Sequence, residues 1–319
     1  MEDNVKLINE LKVKYEELKK EIARKIVGQE EVVNKILVSV FSNGHCLLIG
    51  VPGLAKTLMV TAISETLDLK YNRIQFTPDL MPSDIIGTEI LDNNKEFRFI
   101  KGPLFANIIL ADEINRTPPK TQSALLEAMQ EREITAVGTT RKLEQPFFVL
   151  ATQNPIEQEG TYPLPEAQLD RFMFSIILDY PTLEEEIRIV ENTTGVGLQK
   201  LNRIISGEEI LKYQSVIRLM PVPKHITEYA VKLAAKTRPG RPGAHPMADK
   251  YLNWGAGPRA SQFLVAGAKT YAALQGKYSP DLEDVKYVAE SILRHRIFKN
   301  YKAEAEHIQV EDLIREFIK

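Results

Sequence analysis

Residues 50–57 have the types and spacing needed to hold the phosphates of a nucleotide. The segment reads Gly-Val-Pro-Gly-Leu-Ala-Lys-Thr and fits the P-loop pattern, except that Ala55 stands where the pattern has glycine. In such a loop backbone N–H groups point at phosphate oxygens, and the following helix presents its positive N-terminus to them. Lys56 would reach the β- and γ-phosphates, and the Thr57 hydroxyl would bind Mg²⁺. Ala55 is tolerated if its φ is negative and strained if its φ is positive.

A pair of carboxylates follows the apolar run 107–111. Asp112 and Glu113 come directly after Asn-Ile-Ile-Leu-Ala, a run typical of a buried strand. The carboxyl ends of parallel strands face the ligand crevice of an α/β sheet, so we expect this pair beside the P-loop. Asp112 would hold Mg²⁺, directly or through water, and Glu113 would orient and polarise the attacking water. A solvated acidic turn is the alternative, and the P-loop makes it the weaker one.

Three further polar residues stand where they could act on phosphate. Asn154 follows the apolar run 147–152 and could hydrogen-bond a γ-phosphate or the attacking water, or simply form a turn. Arg171 precedes the last predicted strand, and it is either an arginine supplied to another subunit or a solvated charge. Arg259 follows Pro258 in the first turn of a predicted helix, where a cation opposes the helix dipole at a cost of up to about 1 kcal/mol. A γ-phosphate facing this helix would supply the missing anion.

The spacing of apolar residues predicts an α/β fold with a mostly parallel sheet. Short apolar runs alternate with helical patterns such as 121–130, which places helices on both faces of the sheet. The runs are 46–49, 73–76, 108–111, 147–152 and 173–178. Two segments break the alternation and are predicted to be hairpins: 87–101, turning at Asp92-Asn93-Asn94, and 133–145, turning near Gly138.

The pattern becomes helical after Pro181. Capping boxes predict helix starts at Thr182 and Ser206, and Ser279-Pro280-Asp281 has the cap, the first-turn proline and the first-turn acid of a third start. We therefore expect a domain boundary near Tyr180–Pro181. Residues 1–180 would form an αβα nucleotide-binding core with the two hairpins as inserts, and residues 181–319 would form a helical lid.

The overall composition excludes several classes of protein. The 319 residues are 44% hydrophobic and 26% charged and carry a formal net charge of −2, so no overall field attracts nucleic acid or an anionic membrane. The N-terminus lacks the apolar segment of a signal peptide, and no apolar run is long enough to span a bilayer. Since Cys46 is the only cysteine, a disulfide framework is excluded. We expect a cytoplasmic protein without membrane insertion.

Taken together, these segments resemble the MoxR family of AAA+ ATPases, over nearly the whole chain. The segments that carry the resemblance are 50–57, 111–116, 153–155, 169–172 and 254–261, and GVPGLAKT, with its alanine, is the form of the P-loop found in this family. Also similar are Phe76-Thr-Pro-Asp-Leu-Met-Pro-Ser-Asp and Trp254-Gly-Ala-Gly-Pro-Arg-Ala-Ser. The resemblance implies a sheet of five parallel strands, a C-terminal all-helical lid, and a ring, usually a homo-hexamer, with ATP bound between subunits.

The resemblance also implies roles for individual residues. Thr57 and Asp112 would bind the metal, Glu113 would be the catalytic base, and Asn154 looks like sensor 1. Arg259 looks like sensor 2, Arg171 looks like the arginine finger for the neighbouring subunit, and Arg116 would also face the interface. The segment 26–29 resembles the one that packs on adenine. The residues expected to bind ATP are Val27, Gly28, Gly50, Val51, Pro52, Gly53, Leu54, Ala55, Lys56, Thr57 and Leu58.

Proteins of this family are regarded as chaperone-like ATPases that mature protein complexes or insert metal cofactors. They commonly act with partners that carry a von Willebrand factor A domain, and their two hairpins point toward the ring pore or its rim and touch substrates. The main alternative is a ring motor acting on nucleic acid, with phosphates contacted by Arg98, Lys101, Arg141 and Lys142. A nucleotide switch that barely hydrolyses ATP is a third class, and the presence of Glu113 counts against it.

Overall fold

The computed structural model describes residues 2–91, 93, 95–156, 160–194 and 200–319. The strands are β1 (Cys46–Ile49), β2 (Tyr71–Gln75), β3 (Gly87–Leu91), β4 (Phe97–Lys101), β5 (Ile108–Asp112), β6 (Glu133–Ala136), β7 (Thr139–Lys142), β8 (Phe148–Gln153), β9 (Phe174–Ile177), β10 (Leu252–Trp254) and β11 (Phe298–Lys299).

The α-helices occupy much of the rest of the described chain, and short 3₁₀ turns lie at Ile114–Arg116 and Arg294–Arg296. The helices are α1 (Glu2–Ile22), α2 (Glu30–Phe41), α3 (Lys56–Thr66), α4 (Pro82–Ile86), α5 (Pro119–Glu131), α6 (Glu166–Leu169), α7 (Leu183–Thr194), α8 (Gly207–Leu219), α9 (Lys224–Lys236), α10 (Pro246–Tyr251), α11 (Pro258–Leu274), α12 (Leu282–Leu293), α13 (Tyr301–Ala305) and α14 (Val310–Ile318). None of the helices in the described ranges combines the length and the apolar character that a bilayer span requires.

A five-stranded parallel sheet in the order β2-β5-β8-β1-β9 lies at the centre of the protein. It confirms the α/β fold and the five strands predicted from the apolar runs. Because the strands are parallel, all their carboxyl ends lie along one edge and all their amino ends along the opposite edge. Residues that follow strands and residues that precede them are therefore separated by the length of a strand.

The sheet separates two apolar cores. Cys46 and Leu48 of β1 face one core, which is continuous from α1, α2 and α3 to the C-terminal helices. Leu47, on the other face of the same strand, packs with residues of α5 and of the β6–β7 segment. This alternation follows from the two-residue period of a strand. In the described part of the chain, the C-terminal helices share the core of α1 and α2 and contact α1, α2 and β9.

Both predicted hairpins form, and an aromatic contact joins them. β3 pairs with β4 and β6 pairs with β7, each antiparallel. The second hairpin turns at Val137 and Gly138, as predicted, whereas Asp92 and Asn94 of the first predicted turn lie outside the described residues. The guanidinium of Arg141 lies 3.8 Å from the ring centroid of Phe99, so the two hairpins contact each other.

Helices α7–α14, together with the short antiparallel ribbon β10–β11, form the C-terminal region. Reciprocal hydrogen bonds between backbone and side chain join Thr182 to Glu185 and cap α8 with Ser206, as predicted. The third predicted start was wrong by two residues. Asp281, not Ser279, caps α12, because its carboxylate accepts a hydrogen bond from the backbone N–H of Asp284.

Candidate nucleotide-binding site

The loop between β1 and α3 leaves the N-terminus of α3 open. Its N-cap residue, Ala55, makes no side-chain cap, and the first turn contains no acid and begins with Lys56. An uncapped helix start with a cation in the first turn is locally unfavourable, and a bound phosphate satisfies both the backbone N–H groups and the positive charge. Gly50 is required by packing, because a Cβ there would lie 2.9 Å from the Cβ of Leu178.

Ala55 has φ 53° and ψ 24°, in the left-handed region. The sequence alone left open whether this position needs a positive φ, and the structure shows that it does. A left-handed alanine costs about 1–2 kcal/mol relative to the right-handed conformation. The strain lies in the loop that the sequence assigns to phosphate, which is where such conformations concentrate in proteins.

Asp112 ends β5, and its two oxygens have different partners. Thr152 of β8 donates its hydroxyl to Oδ1 at 2.6 Å. Arg73 of β2 donates from Nε and Nη2 to Oδ2, at 3.1 and 2.7 Å. The Thr152 hydroxyl also accepts the backbone N–H of Glu113 at 2.8 Å. Residues of β2 and β8, the neighbours of β5 in the sheet, therefore fix the position of the predicted metal ligand.

Glu113 lies just beyond the strand in a left-handed conformation, with φ 57°. Its Oε2 accepts two hydrogen bonds, one from Nε2 of Gln75 at 2.7 Å and one from Nη1 of Arg116 at 2.9 Å. Arg116, which we expected at a subunit interface, contacts this carboxylate within its own chain. Gln75 and Arg116 therefore restrain the carboxylate predicted to act on water.

Lys56 lies in the same cleft as both carboxylates. Partial burial lowers the pKa of the Lys56 ammonium, and the charges of Asp112 and Glu113 oppose that shift. The ammonium of Lys56 donates a hydrogen bond to the carbonyl of Gly50, which keeps it folded back over the loop. A cation near two carboxylates at the carboxyl edge of the sheet suits a triphosphate bound with a divalent metal.

Asn154 and the segment predicted to pack on adenine lie at this same edge. Asn154 is buried and follows β8, whose last residue, Gln153, accepts the backbone N–H of Gly50 at 3.2 Å. Gln29 donates from Nε2 to the carbonyl of Asp179, 3.2 Å away. At Gly28, which has φ 75°, a Cβ would lie 2.6 Å from the carboxyl carbon of Glu185. The structure thus brings these predicted site residues to the edge that holds the P-loop.

Arg171 and Arg259 lie at the opposite edge of the sheet. Both line a small cavity of about 180 Å³ together with residues 43–45, which precede β1. Since β1 has four residues that rise about 3.3 Å each, the two edges are on the order of 13 Å apart along this strand alone. The P-loop of the same chain therefore lies across the sheet from Arg259, and the expectation that a γ-phosphate faces this arginine stays a prediction. The anion beside Arg259 in its own chain is Asp170, with Oδ2 at 2.8 Å from Nη1.

Asp170 also pairs with a buried arginine that sequence reasoning missed. Nε of Arg296 donates to Oδ1 of Asp170 at 2.7 Å, while Nη2 donates to the carbonyls of Asp170 and Phe172 at 2.9 and 2.6 Å. Burial lowers the pKa of Arg296 to about 10, and Asp170 opposes the shift. The run Arg294-His295-Arg296 at the end of an apolar helix was the signal that could have shown a buried polar cluster. Sequence reasoning also missed Arg73, Gln75 and Thr152, which hold Asp112 and Glu113. The only signal for them was that each is a polar residue in or beside a predicted apolar strand.

Comparisons with known proteins agree with this architecture. Residues 45–174 match the family model described as "ATPase family associated with various cellular activities (AAA)", and residues 245–317 match the AAA lid domain. The chain is 44% identical to Chaperone MoxR1 of Mycobacterium tuberculosis over 297 residues, which cover 92% of this chain and 78% of the relative. It is 30% identical to Protein MoxR of Methylorubrum extorquens, over 93% of this chain and 91% of the relative.

A solved structure is similar over almost the full length. The crystal structure of a protein from Cytophaga hutchinsonii, assigned as an ATPase, superposes with a TM-score of 0.91 at 42% identity. The match covers 98% of this chain and 96% of that one. The order of the elements and the placement of the C-terminal helices are therefore shared with a solved protein.

Proposed function

The chain belongs to the MoxR family of AAA+ ATPases, and on this premise we propose that it is a Mg²⁺-dependent ATPase that works as a ring and remodels a protein client. In this proposal residues 1–180 are the nucleotide-binding core and residues 181–319 are the lid. The partner would carry a von Willebrand factor A domain, and the client would be a protein complex whose maturation, with or without metal-cofactor insertion, consumes ATP. The subunits would form a homo-hexamer.

The residues at the carboxyl edge suit a magnesium–nucleotide complex. Mg²⁺ prefers oxygen ligands. Asp112 offers a carboxylate at the end of β5, and Thr57 offers a hydroxyl at the start of α3. When bound, the metal neutralises charge on the β- and γ-phosphates. In this proposal Lys56 binds the same phosphates, and the amide of Asn154 donates to a γ-phosphate oxygen or holds the attacking water. Asp112 is kept in place by Thr152 and Arg73.

Glu113 would accept a proton from the attacking water. The carboxylate is engaged by Gln75 and Arg116 through one oxygen, Oε2. A base has to lie within about 3 Å of the water it polarises. In this proposal the hydrogen bonds from Gln75 and Arg116 therefore control whether the Glu113 carboxylate comes within that distance of the attacking water. Hydrolysis would then depend on movements of β2 and of the turn that carries Arg116.

Arg171 and Arg259 would complete the site of the next subunit. Both lie at the amino edge, away from the phosphate loop of their own chain. If subunits associate head to tail, the amino edge of one meets the carboxyl edge of the next, and such heterologous contacts form a ring when the rotation between successive subunits closes. An arginine supplied across an interface stabilises the charge that develops on the transferred phosphoryl group.

The two hairpins favour a polypeptide client over nucleic acid. Phe97 of the first hairpin is 77% exposed, and Val137 at the tip of the second is 59% exposed with φ 52°. A β-branched residue rarely adopts that conformation, so its position at the tip suggests use rather than packing. Arg141 donates to the carbonyls of Ala136 and Thr139 and stacks on Phe99. It is thus already engaged, which weakens the nucleic-acid alternative.

The observation that carries the proposal is the distribution of charge between the two edges of the sheet. Lys56, Asp112 and Glu113 lie at the carboxyl edge, and Arg171 and Arg259 lie at the amino edge. The test is a subunit-mixing experiment. Glu113→Gln subunits keep ATP binding but lose turnover, and Arg171→Ala subunits lose turnover because they donate no arginine to their neighbour.

Mixing the two variants restores complete interfaces wherever an intact Glu113 meets an intact Arg171. In a random equimolar ring about one quarter of the interfaces are complete, so we expect about a quarter of wild-type ATPase activity. Each variant alone serves as the control. If no ratio of the two variants regains activity above the two separate proteins, the site is not completed between subunits. Wild-type turnover in Glu113→Gln would instead contradict the role assigned to the glutamate.

A further inference from the structure

Asp170 is bonded to two arginines that come from different parts of the lid. Oδ2 contacts Arg259 at the N-terminus of α11, and Oδ1 contacts Arg296 in the turn that follows α12. The carboxylate belongs to the core, at the end of α6, and immediately precedes Arg171 in the chain. Of the two arginines proposed to serve the neighbouring subunit, Arg259 therefore contacts the side chain of Asp170, and Arg171 is the next residue in the chain.

Arg296 holds the backbone around Arg171 from both sides. Its guanidinium donates to the carbonyls of Asp170, Phe172 and Met173 at 2.9, 2.6 and 3.3 Å. The side chain is 2% exposed, whereas that of Arg259 is 42% exposed. One arginine is therefore a buried structural anchor, and the other is anchored at one nitrogen while remaining accessible. The backbone position of Arg171 depends on a residue that lies 125 positions away in the lid.

Buried ion pairs of this kind contribute little net stability but fix geometry, because each charge has to be paired where it stands. Catalytic groups need supporting residues that hold them to within about 0.5 Å, and long exposed arginines do not hold themselves. The cluster Asp170–Arg259–Arg296 provides such support on the amino edge. Since it joins core and lid, it also fixes the position of Arg259, which is on the lid, relative to Arg171, which is on the core.

We propose that Asp170 and Arg296 are positioning residues that present Arg171 and Arg259 together to the ATP site of the neighbouring subunit. This inference rests on the proposed function, in which those arginines act between subunits. It adds that the lid determines how the core arginine is presented. A purely structural role for the cluster is the competing explanation, and the two differ in which subunit carries the defect.

The test uses the full-length protein with Asp170→Asn, which keeps the size of the side chain and removes its charge. We expect turnover to fall by about 100-fold, since a displacement of about 1 Å in a catalytic group costs on that order. Binding of ATP at the variant's own P-loop should be unchanged, so kcat falls while the dissociation constant for ATP does not. Glu166→Gln, which removes a carboxylate from the same short helix, is the matched control and should behave as wild type.

Mixing then locates the defect. Asp170→Asn subunits should recover activity with Glu113→Gln subunits, which supply intact arginines, and should recover none with Arg171→Ala subunits. The opposite pattern, recovery with Arg171→Ala only, would place the defect in the variant's own site and overturn the proposal. Wild-type turnover of Asp170→Asn would overturn it as well. If the reference mixture of Glu113→Gln with Arg171→Ala also stays inactive, the proposed function itself has failed.

A second variant excludes misfolding as the cause of a loss of turnover in Asp170→Asn. Asp170→Asn leaves the charge of Arg296 buried without its carboxylate, so the double variant Asp170→Asn with Arg296→Met is prepared in parallel to remove both charges. It should show the same pattern in both mixtures. Full activity of the double variant would show that neither side chain positions the arginines and would reject the inference.

Discussion

Replacing Arg73 by methionine should lower the Mg²⁺ concentration at which the nucleotide complex forms. Nε and Nη2 of Arg73 donate to Oδ2 of Asp112 at 3.1 and 2.7 Å, and Asp112 is the carboxylate proposed to bind the metal. A cation that holds this oxygen competes with a second cation for the same negative charge. Methionine keeps an unbranched side chain of similar reach and removes only the charge and its hydrogen bonds.

The size of the effect follows from the exposure of the pair. The side chain of Arg73 is 47% exposed and that of Asp112 is 15% exposed, so the pair is closer to a surface salt bridge than to a buried one. Such pairs contribute about 0.5–1 kcal/mol. This energy corresponds to a fall of about two- to fivefold in the half-saturating Mg²⁺ concentration.

The measurement separates binding from chemistry. Binding of a fluorescent ATP analogue is titrated with Mg²⁺ at fixed nucleotide concentration in the Glu113→Gln background, with and without Arg73→Met. Turnover is titrated in the proteins that keep Glu113. Arg241→Met, which changes an exposed arginine of the loop before α10, controls for the loss of one positive charge. An unchanged or higher half-saturating concentration in Arg73→Met would refute competition for Asp112.

Two further predictions concern stability. Ala55→Gly should stabilise the nucleotide-free protein by about 1 kcal/mol in chemical denaturation. The reason is that relief of about 1–2 kcal/mol of left-handed strain exceeds the about 0.4–1 kcal/mol lost to a more flexible unfolded chain. Ala55→Val should destabilise the protein, and a loss of stability in the glycine variant would contradict the strain at Ala55. Burial lowers the pKa of His45 to about 4, so between pH 6.5 and 4 the unfolded chain binds a proton that the folded protein does not. Stability should fall as the pH drops below 6.5, by about 2 kcal/mol at pH 5 from this group. Urea unfolding of His45→Gln should show a shallower pH dependence, and an equal slope in both proteins would rule His45 out as the cause.

The sequence by itself determined the fold class and the carboxyl edge of the site. Runs such as 46–49 and 108–111 have strand length and are wholly apolar, and they alternate with helical patterns, which is enough to specify a parallel sheet. Once the sheet is parallel, Lys56, Asp112 and Asn154 have to meet. Asp112 ends β5 and Asn154 directly follows β8, while Lys56 starts the helix after the loop that leaves β1. Both hairpins and the cap at Ser206 were also predictable, because turn and cap signals depend on neighbours within a few residues.

Only the tertiary structure decided the amino edge and its contacts. The apolar stripes of α11 and α12 show that these helices are buried, but they do not show which face of the core receives them, so the distance of Arg259 from its own P-loop was not predictable. The contact of Asp170 with Arg296 joins residues 126 positions apart, and no local sequence pattern predicts it. The left-handed backbone at Ala55 also depends on how neighbouring segments pack. The cap at Asp281, in contrast, is a local capping box with Asp284 that the sequence could have shown. Local periodicity and spacing therefore specified the elements and the residues that follow strands, whereas long-range packing set the relation between core and lid.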